Sequence, residues 1–161
     1  MIFGGGGNDV VFGGDVDDTI EGGRGDDTLR GSNGDDRIFG QEGNDVLNGW
    51  FGQDVLIGGI GDDLLVGGDE ADFMQGQNGA DVLLGQAGND TLEGGLGADF
   101  LSGGDGDDML GGTTIDDSIE DDATVDGLRG DAGFDLFFSF TNNIDLLLDF
   151  NDQEDEHFVS T

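Results

Sequence analysis

The chain has 161 residues, of which 35 are glycine and none is proline or cysteine, and its 38 acidic residues face only four basic ones. A formal charge of −34 excludes the basic surface that nucleic-acid binding needs, the lack of cysteine excludes disulfide bonds, and no apolar run reaches the roughly 18 residues of a transmembrane segment. Composition therefore leaves two classes, a disordered acidic chain or a protein that binds cations.

A nine-residue pattern runs without interruption from Gly4 to Phe138 and gives fifteen units of the form GGxGxDxUx, where U is apolar. We number the positions of a unit as places one to nine. Place six is aspartate and place eight is apolar in every unit, while place one is glycine in all units but one and place four in eleven. A disordered chain has no reason to keep such a frame, so the sequence indicates a folded repeat protein.

Each unit reads as a six-residue loop, places one to six, followed by three strand-like residues centred on place eight. One inward side chain per strand cannot form a core alone, so we predict that two units make an 18-residue coil and that coils stack through parallel strand pairing. Place eight then points inward, and places seven and nine point outward. The predicted fold is an all-β parallel β-roll, or β-solenoid, over residues 1–138, followed by a C-terminal β cap over residues 139–161.

Stacking brings the place-six carboxylates of successive coils together, and such rows repel unless cations lie between them. Carboxylates and the accessible backbone carbonyls of glycine-rich loops are hard oxygen ligands, which suit Ca²⁺. We therefore expect several calcium ions along the roll. Zinc and copper fit poorly because there is no cysteine and His157, the single histidine, lies outside the repeats; magnesium should compete weakly. The aspartates expected to bind metal are Asp9, Asp18, Asp27, Asp36, Asp45, Asp54, Asp63, Asp72, Asp81, Asp90, Asp99, Asp108 and Asp135.

Four units lack glycine at place four, where Val16, Glu70, Ile115 and Thr124 stand instead. A positive φ would be costly for the β-branched Val16 and Ile115, so these units should reduce the number of calcium sites. Two of the four units follow one another within residues 112–127. We expect this degenerate stretch to keep the coil but to bind calcium weakly or not at all.

The unit GGxGxDxUx closely resembles the calcium-binding nonapeptide repeat of the RTX, or haemolysin-type, family, and the resemblance covers residues 1–138. The tail, with Asp149-Phe150 after paired apolar segments and Asp155 beyond, is similar to the closing segment of that family. The resemblance implies that one ion lies between two loops 18 residues apart. The first loop supplies the carbonyls of places two and four and its place-six aspartate. The second loop supplies the carbonyls of places one and three and its place-six aspartate.

Carried over by position, the implied ligands are backbone carbonyls wherever the residue is not the place-six aspartate. For the loops at residues 22–27 and 40–45 they are Gly23, Gly25, Asp27, Gly40, Glu42 and Asp45. For the loops at residues 31–36 and 49–54 they are Ser32, Gly34, Asp36, Gly49, Phe51 and Asp54. The same places in other loops add Gly7, Gly43, Gly52, Gly59, Gly61, Gly79, Gly88, Gly94, Gly97 and Gly106.

We expect no catalytic role, because the chain has no cysteine, tyrosine or lysine and metal sites account for its paired carboxylates. The resemblance implies a calcium-binding module of a secreted or cell-surface bacterial protein. Such a protein leaves the cell by type I secretion and folds outside, where calcium is millimolar. The alternative is a recognition module, either part of an adhesin or the non-catalytic arm of a secreted enzyme.

The two outer surfaces of the roll are predicted to differ. In the odd-numbered units ten of the sixteen outward positions are apolar, including Leu136 and Phe138 of the last unit. In the even-numbered units only five of the fourteen outward positions are apolar. β-Propensity alone would enrich both surfaces alike. We therefore predict that the surface of the odd units, the odd face, docks a neighbouring domain, a partner protein or a second copy. The predicted contact residues are Leu64, Val66, Val82 and Leu84.

Overall fold

A computed structural model describes residues 1–111, 127–132, 136–138 and 146–147. Within those ranges the chain forms sixteen β-strands and no helix. The strands are β1 (Ile2–Gly6), β2 (Val10–Gly14), β3 (Thr19–Arg24), β4 (Thr28–Asn33), β5 (Arg37–Glu42), β6 (Val46–Phe51), β7 (Val55–Ile60), β8 (Leu64–Asp69), β9 (Phe73–Asn78), β10 (Val82–Ala87), β11 (Thr91–Leu96), β12 (Phe100–Asp105), β13 (Met109–Gly111), β14 (Gly127–Ala132), β15 (Leu136–Phe138) and β16 (Leu146–Leu147).

The strands form two parallel sheets of eight strands each. The first sheet has the order β1-β3-β5-β7-β9-β11-β13-β15, and the second runs from β2 through the remaining even-numbered strands to β16. Because consecutive strands lie in different sheets, the backbone winds as a solenoid whose coils each contribute one strand to each sheet. In the first sheet Ile38 lies opposite Ile20 and Leu56, so the register advances by 18 residues per coil. The predicted all-β parallel β-roll of 18-residue coils is confirmed.

The core consists of the place-eight side chains, which form one column from each sheet. In the first coil Ile2 and Val11 are partly buried and pack against the ends of the columns. Burying one such side chain contributes only about 2 kcal/mol, so two per coil make a thin core, and the loops must help to hold the coils together. The fully buried members are Ile20, Leu29, Ile38, Leu47, Leu56, Leu65, Met74, Leu83, Leu92, Leu101 and Leu110.

Most strands are longer than the expected three residues, because they continue from places seven to nine into places one to three of the next unit. In β7, for example, Leu56 and Gly58 are both buried. Strand alternation therefore turns place one as well as place eight into the roll. In the described loops only glycine fits at place one, since a Cβ on a residue such as Gly58 would overlap the carboxylate of the following aspartate, here Asp63. Place one is thus a packing position of the strand rather than part of the loop.

The pairing register changes once, near the end of the repeats. Phe100 in β12 lies opposite Gly127 in β14, and Met109 in β13 lies opposite Leu136 in β15, so each partner stands 27 residues on instead of 18. One unit's length of chain is therefore left out of the ladder between β13 and β14. The 18-residue spacing between paired strands therefore does not continue across this stretch.

The chain between the two pairing registers contains the two successive degenerate units. They carry Ile115 and Thr124 at place four, and β-branched residues disfavour the positive φ that this place adopts elsewhere. The skip also exchanges the sheets beyond it, so Leu136 and Phe138, predicted on the odd face, lie instead in β15 of the first sheet.

Two predicted segments fall largely outside the described residues. These are residues 112–126 of the degenerate stretch and most of the C-terminal cap predicted over residues 139–161. Within the cap, β16 pairs in parallel with β14 and so extends the second sheet.

Candidate metal centre

The place-six aspartates form one row along each edge of the roll, where the loops join the two sheets. Asp9 and Asp18, in the first coil, are partly buried, and Asp135 lies outside the described residues. Carboxylates are almost never buried this deeply without a partner. The aspartates whose side chains are only 1 to 3 % exposed are Asp27, Asp36, Asp45, Asp54, Asp63, Asp72, Asp81, Asp90, Asp99 and Asp108.

The two oxygens of a buried aspartate have different environments. Oδ1 accepts a hydrogen bond from the backbone amide of the aspartate one coil earlier, as Asp63 does from Asp45 at 2.7 Å and Asp81 from Asp63 at 2.8 Å. Oδ2 is buried and has no hydrogen-bond donor, an unfavourable arrangement that a cation would relieve. This holds for Asp9, Asp27, Asp36, Asp45, Asp54, Asp63, Asp72, Asp81 and Asp90.

Each such Oδ2 faces a small cradle formed by glycine backbone. Asp45 Oδ2 lies so close to Gly40 that a Cβ there would overlap it, and the same Cβ would stand 2.7 Å from the Gly58 carbonyl oxygen of the next coil. A carboxylate oxygen and a carbonyl oxygen therefore converge beside this glycine. The same pair of oxygens flanks Gly67, Gly76 and Gly85.

The loops 40–45 and 58–63 show how the backbone lines the gap between two coils. The place-two and place-four carbonyls of the earlier loop, Gln41 and Gly43, point toward the later loop, where a Cβ at the corresponding place would overlap each of them. From the other side, the place-three carbonyl of Ile60 accepts a hydrogen bond from the Gly43 amide at 2.9 Å. The structure thus brings to one gap the carbonyls and carboxylates that the resemblance implies for one ion.

Places two and four both adopt positive φ along the described loops. At place four a Cβ on a glycine such as Gly61 would overlap the backbone of the preceding coil. Of the two other residues found there, Glu70 adopts a φ of 73° whereas Val16 does not adopt a positive φ. Only Glu70 therefore keeps the loop geometry without glycine. Place two tolerates larger residues, with φ between 79° and 95° at Ser32, Gln41, Trp50, Gln77 and Gln86.

Burial raises the pKa of several place-six aspartates and so favours their neutral, protonated form. Removal from water, followed by the charge of neighbouring carboxylates, raises the pKa of Asp54 and Asp81 to about 6, of Asp63 to about 7 and of Asp72 to about 8, while a backbone hydrogen bond opposes each shift. Bare anions are therefore unfavourable inside the roll, and a cation would restore the ionised form. Burial also raises the pKa of Asp36, Asp45 and Asp90.

Place five carries a second ladder of side chains, which sequence reasoning missed. Asn44 Oδ1 accepts a hydrogen bond from the Asp62 amide at 3.0 Å, and Asp62 Oδ1 accepts one from the Ala80 amide at 2.9 Å. Here the acceptor lies one coil before its donor, whereas at place six it lies one coil after, so the two ladders brace each loop in both directions. The sequence does contain a sign of this ladder, because place five is Asn or Asp in eight of the first twelve units.

In the described part of the chain, no three acidic or histidine side chains come close enough together to hold a metal ion by themselves. An ion in these loops therefore needs backbone oxygens in addition to two carboxylates. Such a set consists only of hard oxygen ligands, and Ca²⁺ accepts roughly six to eight of them in a flexible arrangement. The Oδ2 atoms that lack a hydrogen-bond donor and the carbonyl oxygens that converge with them fit calcium.

The four predicted contact residues of the odd face lie side by side on the second sheet. Leu64 and Val66 of β8 pair with Val82 and Leu84 of β10, and all four are half-buried. The exposed large hydrophobic residues are instead spread over both sheets and the loops. Docking on the odd face stays a prediction, since nothing in the structure indicates what would cover it.

Comparison with known proteins identifies the repeat. A family model described as the RTX calcium-binding nonapeptide repeat (4 copies) matches residues 1–20, 12–47, 21–56, 30–65, 57–92, 75–110 and 84–119. No curated protein matches the chain. Among the described residues, no helix is long and apolar enough to cross a membrane. The repeat, the roll and the oxygen-lined loops agree, and the chain belongs to the RTX calcium-binding nonapeptide repeat family, whose β-roll is a structural, non-catalytic module.

Proposed function

We propose that the chain is a module that binds several calcium ions between its loops and folds as it binds them. The observation that carries this proposal is the row of buried aspartates whose Oδ2 atoms have no hydrogen-bond donor. Without calcium these carboxylates either repel one another or take up protons, and a core of two side chains per coil is too thin to compensate. With calcium each gap between loops gains an ion, so binding and folding become one equilibrium.

For the loops 40–45 and 58–63 the proposed ligands comprise four carbonyls and two carboxylates. The earlier loop supplies the carbonyls of places two and four, and the later loop those of places one and three. Asp45 and Asp63 supply the carboxylates, and Asp45 also faces the preceding gap, so it serves two ions. The convergence of Asp45 Oδ2 with the Gly58 carbonyl supports this assignment. The carboxylate pairs then need no catalytic explanation.

Far-UV circular dichroism of the calcium-stripped chain tests the proposal. We expect the spectrum of a disordered chain without calcium, a cooperative gain of β structure as calcium is added, and little change with the same concentration of magnesium. Magnesium is the matched control because it has the same charge but demands a smaller, octahedral shell. A β spectrum already present in the stripped chain at neutral pH would contradict calcium-dependent folding.

We further propose that the parent protein is secreted by, or displayed on, a bacterium and leaves the cell by type I secretion. The family supports this setting, and so does physical chemistry, because a chain that is unfolded at low cytosolic calcium is easy to thread and folds where calcium is millimolar. The test is expression in two strains that differ only in a type I apparatus. Recovery from the medium only with the apparatus supports the proposal, and equal retention in both strains opposes it.

A further inference from the structure

One loop departs from the repeat in a way that changes its hydrogen bonding. Place four of the described loops is glycine except at Val16 and Glu70, and Glu70 alone of the two adopts positive φ, at 73°. A glutamate in that conformation is strained. It persists only if surrounding contacts hold it, and here its own side chain supplies one.

The side chain of Glu70 replaces a backbone hydrogen bond. Elsewhere the place-four amide donates to the place-three carbonyl one coil later, as Gly43 does to Ile60 at 2.9 Å. Gly52, one coil before Glu70, donates instead to Glu70 Oε2 at 3.0 Å. A carboxylate thus stands where other loops present a carbonyl oxygen to the gap. The amides that keep the regular bond are those of Gly7, Gly25, Gly34, Gly43, Gly61, Gly79 and Gly88.

The gap concerned lies between loops 49–54 and 67–72 and already holds two buried carboxylates. Asp54 and Asp72 are 1 and 3 % exposed, and Oδ2 of each has no hydrogen-bond donor. The Glu70 side chain spans this gap, since Glu70 stands two residues before Asp72 and its Oε2 reaches the amide of Gly52, two residues before Asp54. In the part of the chain that the structure describes, no basic side chain pairs with Glu70.

We infer that Glu70 adds a third carboxylate at the mouth of the calcium site between loops 49–54 and 67–72 and makes this site tighter than its neighbour between loops 31–36 and 49–54. The inference rests on the proposed calcium-dependent function. Calcium affinity rises with negative charge at the site, and the bond from Gly52 holds the Glu70 carboxylate beside the gap, where its charge attracts the ion without making it a third side-chain ligand. The repeat alone predicts the opposite, because loss of the place-four glycine should weaken the site.

Trp50 makes this part of the roll observable by itself. It is the single tryptophan of a chain without tyrosine, and it stands in loop 49–54, which borders both of the sites being compared. Terbium(III) takes calcium's oxygen ligands and luminesces when a nearby tryptophan is excited. Terbium titration of the whole calcium-stripped chain, followed through emission excited at Trp50, therefore reports on these sites rather than on the distant ones.

Three variants separate the charge of Glu70 from its backbone strain. Glu70→Gln keeps an acceptor for the Gly52 amide and removes the charge, while Glu70→Gly restores the repeat residue and removes the strain. Asp69→Asn is the matched control, because it makes the same change of net charge at the neighbouring exposed residue, which contributes only its backbone carbonyl to the proposed site and keeps it in the variant. We expect the terbium concentration at half-maximal emission to rise about tenfold in both Glu70 variants and to stay within about twofold in the control.

Two results would overturn the inference. One is a midpoint for Glu70→Gln equal to that of Asp69→Asn, and the other is tighter binding by Glu70→Gly than by the native chain. Circular dichroism of the same samples with calcium separates this failure from that of the proposed function. If the native chain folds with calcium and all variants bind alike, only the inference about Glu70 is wrong. If the native chain neither folds with calcium nor yields terbium emission, the proposed function is wrong as well.

Discussion

Asp63 Oδ1 accepts a hydrogen bond from the backbone amide of Asp45 at 2.7 Å, while Asp63 Oδ2 is buried without a donor. One oxygen of the carboxylate therefore links two coils, and the other is left for a cation. The link needs only an acceptor, whereas the cation needs the negative charge. An isosteric amide separates these two roles.

Asp63→Asn should weaken calcium-driven folding while leaving the link to Asp45 in place. We expect the calcium concentration at the folding midpoint to rise by about tenfold, equivalent to about 1.4 kcal/mol, because the side chain borders two gaps. Calcium titration followed by far-UV circular dichroism measures the midpoint. Asp62→Asn is the control, since Asp62 is adjacent and exposed and its Oδ1 acceptor for Ala80 survives the change. Equal midpoints for the two variants would contradict the metal role of Asp63.

Without calcium, folding should depend on protons. The pKa of Asp63 is raised to about 7 and that of Asp72 to about 8, from 3.8, so the folded chain binds protons more tightly than the unfolded chain. Protonation of these groups therefore stabilises the folded state. The stabilisation is complete below about pH 4 and is lost as the pH rises through about 7 to 8.

The calcium-stripped chain should accordingly gain β structure as the pH falls from about 8 to 5. Over the same range the calcium concentration at the folding midpoint should fall, because protons and calcium both stabilise the folded chain. Circular dichroism at each pH, on protein stripped by chelating resin rather than by a pH-sensitive chelator, measures both effects. Loss of β structure on acidifying the stripped chain would show that burial of these aspartates is not what opposes folding.

Glycine at place one is expected to be indispensable. At Gly40 a Cβ would overlap Asp45 Oδ2 and stand 2.7 Å from the Gly58 carbonyl oxygen, so Gly40→Ala should lower the free energy of unfolding of the calcium-loaded chain by about 1 to 3 kcal/mol. Urea denaturation in saturating calcium measures the loss. Gly6→Ala is the control because a Cβ at Gly6 would have nothing within 4 Å. A loss of the same size in both variants would point to a general effect of glycine on the unfolded chain.

The nine-residue period predicts most of the fold because every unit makes the same contacts. Inward place-eight side chains such as Leu56, the 18-residue register and the aspartate rows all follow from it. The period does not predict the different roles of the two Asp63 oxygens. It also does not predict the place-five ladder through Asn44. Both depend on the direction of backbone amides in the neighbouring coil, which an apolar pattern does not specify.

The register change shows a second limit of the pattern. Leaving out nine residues keeps place eight in phase, so the pairing of Phe100 with Gly127 still opposes Leu101 to Leu128. The place-eight pattern of apolar residues is the same with or without the skipped unit, so the pattern does not predict the skip. The nine-residue period therefore does not specify which of the two degenerate units enters the ladder.

The skipped unit itself supplies the last prediction. Because the chain between β13 and β14 is one unit longer than the ladder uses, deletion of residues 112–120 should leave the strand pairing intact. Phe100 and Gly127 would then stand one regular coil apart. We expect calcium-dependent folding to be kept and the urea midpoint to stay the same or rise slightly, since a shorter connection has less entropy to lose on closure.

Deletion of residues 58–66 is the matched control, because it also removes one whole unit but takes a buried Leu65 and half a coil out of the ladder. It should lower the urea midpoint, since a regular unit contributes a core side chain, a place-six aspartate and a set of strand hydrogen bonds. Circular dichroism with calcium and urea titration compare the two shortened chains with the native one. If both deletions destabilise the roll equally, residues 112–120 contribute as much as a regular unit. The ladder would then run through every unit without a skip.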